Sequence, residues 1–250
     1  MDDYCKAAIE KNLAEICFTT HFDTNPVLPS KSRSICVEGQ MLPHSIENLK
    51  AYVDAVENAR GEYYPLAVKC GIEVGFYPGC ERETSELFRK YRFDYKLGAV
   101  HEVGDFDLCT EEHYKRFHLK VGLDDLADRY FALVKEAAET GLFDALAHLD
   151  LYKKYGLEYY GKEVLIIHRD RLGPVVESMV NHDVGLEINT SALRKGHSEY
   201  YPSMDIVNMA RKAGVKIVAI GSDAHKPEQL AYDFDTAASI AYELFPYCSE

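Results

Sequence analysis

With 250 residues, 47% of them apolar and 28% charged, the chain suits one large soluble domain or two smaller ones and can bury a sizeable core. Its formal net charge of −13 argues against a broad nucleic-acid or anionic-membrane surface. No apolar run reaches the roughly 18 residues of a membrane span, and the acidic start Met1-Asp2-Asp3-Tyr4 is no secretory signal.

The first predicted element is a helix over 3–13, with Tyr4, Ala7, Ala8 and Leu13 near one face. Glu15-Ile16-Cys17-Phe18-Thr19 reads as a short buried strand, and 23–43, polar with prolines and serines, as a long loop. His44-Ser45 then opens a helix with Ser45 as its N-cap. Further strands are expected near 66–73, 95–100, 144–148, 184–188 and 216–220. Helices are expected near 80–91, 124–139, 161–181, 203–213 and 227–244. Strands alternating with helices imply an α/β fold with a parallel sheet, doubly wound or closed into a barrel. The seven cysteines, at 5, 17, 36, 70, 80, 109 and 248, include no C-x-x-C pair. That pattern points to reduced thiols in a cytoplasmic protein.

Residues able to bind metal fall at the ends of these strands. Thr19-Thr20-His21 ends the first, Gly71-Ile72-Glu73 the second, and Ala99-Val100-His101 the third. Leu146-Ala147-His148 ends the fourth, Glu187-Ile188-Asn189 the fifth and Gly221-Ser222-Asp223-Ala224-His225 the sixth. The C-terminal ends of parallel strands converge on one face, where ligands bind. One such histidine is ordinarily a loop or core residue, and Asp223 alone reads as a helix cap. Six coincidences on one rim favour a metal site. Imidazole and carboxylate without thiolate suit zinc, manganese or iron. His44, His113, His118, His168 and His182 lie off this pattern and read as structural. Nucleotide-loop, dinucleotide and serine-hydrolase motifs are absent. On the same rim, Asn189 through Pro202 carries Arg194, Lys195 and His197. These supply the local positive charge that an anionic substrate needs in an acidic protein.

The same residues carry a family resemblance. Phe18-Thr19-Thr20-His21, Gly71-Ile72-Glu73-Val74, Val100-His101, Ala147-His148 and Ser222-Asp223-Ala224-His225 resemble successive metal motifs of the polymerase-and-histidinol-phosphatase (PHP) family. The stretch from Glu187 to Ser203 is similar to that of its histidinol-phosphate phosphatase branch. The resemblance implies a single domain over 1–250, built as a distorted (βα)7 TIM-like barrel. It also implies two to three divalent ions (Zn, Mn or Fe). Glu73 would bridge two ions, with Asp223 completing the first; His101 and His148 would bind the second, and His21 and His225 a third. Arg194, Lys195 and His197 would bind the substrate, with Arg194 and His197 catalytic.

The implied activity is hydrolysis of the phosphomonoester histidinol phosphate in histidine biosynthesis. Alternatives are a PHP phosphoesterase acting on another small phosphate ester or nucleotide, and a non-catalytic degenerate domain. No nucleic-acid or membrane partner is expected; a homo-oligomer is compatible with the sequence. The family opens on a strand bearing His-x-His, whereas this sequence opens on the following helix, and Thr20 replaces the usual Asp. Among a late-assigned start codon, a deliberately shortened chain and a degenerate protein, the first fits best, since the six later ligands are intact. The chain as given is therefore expected to bind fewer metals and to be less stable and less active than an upstream-extended one.

Overall fold

The computed structural model describes residues 1–28, 33–37 and 40–244. Helix α1 (Asp2–Glu10) leads into β1 (Glu15–Phe22), followed by a small antiparallel hairpin, β2 (Ser34–Val37) and β3 (Gln40–Pro43). Then come α2 (Lys50–Glu62), β4 (Ala67–Gly75), α3 (Glu81–Lys90) and β5 (Tyr95–Ala99). A second hairpin, β6 (Glu102–Val103) and β7 (Phe106–Asp107), precedes α4 (Glu111–His118) and α5 (Leu123–Glu139). After β8 (Ala145–Leu146) follow α6 (Lys153–Tyr160), α7 (Leu172–Asn181), β9 (Gly185–Asn189) and the short α8 (Ser191–Arg194). The last elements are α9 (Met204–Ala213), β10 (Ile217–Gly221) and α10 (Phe234–Leu244).

Six strands form one parallel sheet in the order β1-β4-β5-β8-β9-β10. Because each parallel step needs a crossover, helices return over its outer face. The inner strands are accordingly rich in buried residues, with Ile72 and Val74 on β4, Leu97 and Ala99 on β5, and Leu186 and Ile188 on β9, while the edge strands β1 and β10 are mostly half-buried. Helix α5 shows why its sequence is helical. Leu126, Ala127, Tyr130, Phe131, Val134, Ala137 and Ala138 recur at three- and four-residue spacing and are all buried, while Asp124 and Asp125 occupy the dipole-favoured first turn. It packs beside α7, and α7 beside α9.

The sheet is curled into a half-barrel. Its edge strands β1 and β10 are far apart in strand order, yet the rings of His21 and His225 at their ends are 5.9 Å apart. Tyr4 of α1 also reaches Ala224, its hydroxyl donating to the carbonyl at 3.4 Å. Between the two edges lies a cavity of about 1090 Å³, bounded by β1 from Glu15 to His21 and by β10 from Val218 to Gly221.

All six expected strands are present within a few residues of their expected limits. Three expected helices differ, and α4, α6 and α8 lie where no helix is expected. Residues 46–49 form turns and α2 starts at Lys50, although Ser45 Oγ does accept the Asn48 amide at 3.2 Å. The helix expected over 161–181 is a 3-10 turn at Lys162–Ile166 followed by α7, whose first turn holds Pro174. The one expected over 227–244 is likewise a 3-10 turn at Pro227–Gln229 and then α10. The loop expected over 23–43 contains the β2–β3 hairpin, whose short strands have too little apolar alternation to announce themselves; 29–32 and 38–39 lie outside the described residues.

Candidate metal centre

Register places the first two side chains. β1 and β4 run parallel with His21 directly opposite Glu73. His101 follows β5 by two residues, and His148 follows β8 by two with a φ of 27°. The chain therefore delivers both rings to the rim beside Glu73. His101 Nε2 is 3.2 Å and His148 Nε2 3.0 Å from Glu73 Oε1, and His21 Nδ1 is 4.0 Å from Oε2. Glu73, His101 and His148 are 7%, 5% and 6% exposed.

The electrostatics follow from that packing. Burial works against ionisation of Glu73, but His21, His101 and His148 hold its carboxyl well below the usual range. Burial would lower the pKa of His21; Glu73 and Asp23 outweigh it and raise the pKa to about 9. His148 Nδ1 is buried without a hydrogen-bond partner. Two groups offer donor atoms within 4.8 Å of one another, Glu73–His101–His148 and His21–Asp23–His101. Nitrogen and carboxylate oxygen donors at this spacing fit a divalent cation such as zinc, manganese or iron.

Asp223 and His225 lie at the edge of the cluster. His225 Nδ1 is 3.3 Å from Asp223 Oδ1, and its ring approaches His21. Burial raises the Asp223 pKa, while Lys195 and the neighbouring histidines bring it below its ordinary value. Lys195 Nζ is 3.1 Å from Asp223 Oδ2, and Arg194 Nη2 donates to the Asp223 carbonyl at 2.9 Å. Arg194 Nη1 is buried with no partner. His197 turns to its own loop instead, with Nε2 3.2 Å from the Tyr201 hydroxyl.

Two acids, Asp23 and Asp150, escaped the sequence reading, and Glu187, expected at the rim, takes a supporting place there. Asp23 Oδ1 lies 3.0 Å from His101 Nδ1 and Oδ2 3.3 Å from His21 Nδ1. The available signal was its place two residues after His21, which in extended chain puts both side chains on one face. Glu187 accepts the His148 amide at 3.0 Å and the Asn189 side-chain amide at 3.2 Å; burial beside Glu73 raises its pKa to about 7. Asp150, two residues after His148, accepts the Ser203 amide at 3.0 Å and pairs with Lys153 at 2.7 Å. Of the five histidines read as structural, three have such partners: His44 Nδ1 with the Asp23 backbone, His168 with Asp205, and His182 with the Ser178 carbonyl; His118 packs its ring against Tyr159 and Tyr160.

A curled parallel sheet with a buried histidine–carboxylate cluster at its C-terminal rim defines an α/β protein of the metal-centre type. The chain belongs to the PHP domain family, whose model matches residues 1–191. It is 30% identical over 236 residues to a probable histidinol-phosphatase of Deinococcus radiodurans, covering 94% of this chain and 84% of that one. A probable histidinol-phosphatase of Clostridium acetobutylicum is 26% identical over 243 residues, covering 96% and 86%. In fold, the chain is similar to the histidinol phosphate phosphatase of Lactococcus lactis crystallised with zinc, L-histidinol and phosphate. That match has a TM-score of 0.72 at 19% identity over 98% of this chain and 87% of that one. A putative histidinol phosphatase from Listeria monocytogenes gives a TM-score of 0.74 at 20% identity, covering 94% and 92%.

Proposed function

We propose that this protein hydrolyses the phosphomonoester histidinol phosphate to histidinol and phosphate, with divalent metal ions as cofactors. The observation that carries the reading is Glu73, buried and ionised among His21, His101 and His148 at the strand ends. The relatives named histidinol-phosphatase, matched over most of both chains, support the substrate.

Glu73, His101, His148, His21, Asp223 and His225 would hold two to three ions, which supply Lewis-acid charge and activate water for in-line attack on phosphorus. On this reading Arg194 supplies the guanidinium for the phosphate, and its bond to the Asp223 carbonyl fixes it beside the centre. Lys195 adds positive charge beside Asp223. His197 would pass a proton to the leaving alkoxide, its ring kept in place by the contact of Nε2 with the Tyr201 hydroxyl.

The chain reads as one domain over 1–250. On this reading the six-stranded half-barrel belongs to a seven-unit barrel plan. Among the described residues no helix is long and apolar enough to cross a membrane, and a cytoplasmic location goes with the reading. The test is phosphate release from histidinol phosphate with Zn²⁺, Mn²⁺ or Fe²⁺, against a panel of other small phosphate esters. Arg194→Ala should lower kcat/KM by about 10²-fold, the worth of a charge-assisted phosphate contact of roughly 3 kcal/mol. A panel ester turned over faster than histidinol phosphate, or an unchanged Arg194→Ala, would sink the substrate assignment.

A further inference from the structure

The two candidate donor groups share His101, and that sharing restricts what Asp23 can do. A neutral imidazole has one lone pair and one N–H, so His101 cannot give a lone pair to both groups at once. The distances divide its nitrogens: Nε2 faces Glu73 at 3.2 Å and Nδ1 faces Asp23 at 3.0 Å. An ionised carboxylate only accepts, so the Asp23 bond requires the proton on Nδ1. The Nε2 lone pair then points at Glu73, itself an acceptor. That juxtaposition needs a cation, which is a proton in the free protein and a metal ion in the loaded one.

Asp23 is held for this task from several sides. Its side chain is 9% exposed, and its backbone amide and carbonyl lie 2.9 and 3.0 Å from His44 Nδ1. On β4, Gly75 leaves the space that the carboxylate fills, since a Cβ there would run into Asp23 Oδ1. The other oxygen faces His21. One carboxylate thus touches two of the four rings around the centre.

We propose that Asp23 is a positioning residue of the centre: it accepts the Nδ1–H of His101 and sets the ring of His21 beside it, so that His101 offers Nε2 to the ion shared with Glu73 and His148. The inference rests on the metal reading above. Carboxylate partners of this kind hold the tautomer and orientation of a liganding histidine, and their loss weakens metal binding about 10- to 100-fold.

The experiment measures Zn²⁺ affinity by chelator competition, ion stoichiometry by elemental analysis, and His101 by NMR of the zinc-loaded, ¹⁵N-histidine-labelled protein. Asp23→Ala should weaken zinc binding about 10- to 100-fold at unchanged stoichiometry and remove the slowly exchanging His101 Nδ1–H. Asp23→Asn, whose amide oxygen still accepts, should recover most of the affinity and the N–H signal, and it serves where the alanine variant fails to fold. Unchanged affinity or an unchanged His101 signal in Asp23→Ala overturns the proposal. Loss of one ion per chain also overturns it, by making Asp23 a ligand. Glu73→Gln is the control for the metal reading: if it and the unaltered protein bind zinc alike, that reading fails whatever Asp23 does.

Discussion

The pair Asp150–Lys153 ties the segment after His148 to the loop that carries Arg194 and His197, and it is open to a quantitative test. Asp150 is fully buried, and the Lys153 side chain is 7% exposed. Lys153 Nζ contacts Asp150 Oδ2 at 2.7 Å and donates to Ser203 Oγ at 2.8 Å; Asp150 Oδ1 has no partner. In Lys153→Met the carboxylate keeps one neutral donor, the Ser203 amide. Breaking a buried pair from one side costs about 3–5 kcal/mol. For a chain of this size that lowers Tm by roughly 10 °C.

Asp150→Asn strands the ammonium and should cost a similar amount. The double variant, neutral at both positions, should cost well under the sum, with a coupling energy above about 2 kcal/mol. Urea unfolding followed by circular dichroism at pH 7 measures all four proteins. Additive single effects, or a Lys153→Met cost below about 1 kcal/mol, would refute the reasoning.

Three further outcomes are expected. Gly98→Ala on β5 would bring a Cβ within 2.7 Å of Phe143 Cγ and 2.8 Å of Cε2, and overpacking of this kind should cost about 1–3 kcal/mol in urea unfolding; a change below about 0.5 kcal/mol would show that the ring moves freely. Removing metal by dialysis against a chelator should abolish phosphate release and lower Tm, and excess Zn²⁺ or Mn²⁺ should restore both, because ions that bind only the folded state stabilise it; full activity in a protein proved metal-free contradicts the cofactor reading. Lys195→Met frees Asp223 from its 3.1 Å partner and should raise KM for the phosphorylated substrate more than it lowers kcat, as steady-state kinetics would show.

The fold and most of the centre were legible in the sequence for the same reason. A parallel sheet buries its strands on both faces, so Ile72, Val74, Leu186 and Ile188 appear as apolar runs, and ligand-type residues at the ends of such runs must share a rim. That logic found Glu73, His101 and His148 because their polarity breaks an apolar run. It missed Asp23 and Asp150, which stand in polar sequence where an acid is unremarkable, and whose significance depends on what lies across the rim. Nor did it separate His197, which bonds within its own loop to Tyr201, from Arg194 and Lys195, which reach Asp223. Loop residues owe their placement to tertiary contacts rather than to periodicity.

The charge balance of the rim gives an independent reason to expect cations there. Asp23, Glu73, Glu187 and Asp223 gather around His21, His101, His148 and His225, in a protein whose formal net charge is already −13. In the absence of other cations, protons must supply the compensation. Burial and the neighbouring Glu73 push the Glu187 pKa to about 7, and Glu73 with Asp23 raises that of His21 to about 9 against the effect of burial. A phosphate monoester approaching this surface adds further negative charge, and of the nearby cations Lys195 is already engaged with Asp223. One guanidinium, Arg194, cannot offset that accumulation. Divalent ions between the carboxylates and the phosphate can, since each brings two positive charges to where the acids converge and frees the histidines to bind as neutral ligands. On this argument, phosphate affinity in the metal-free protein should be weak and should rise with each ion bound, a linkage that titration calorimetry at graded Zn²⁺ occupancy can measure; metal-independent phosphate binding would contradict it.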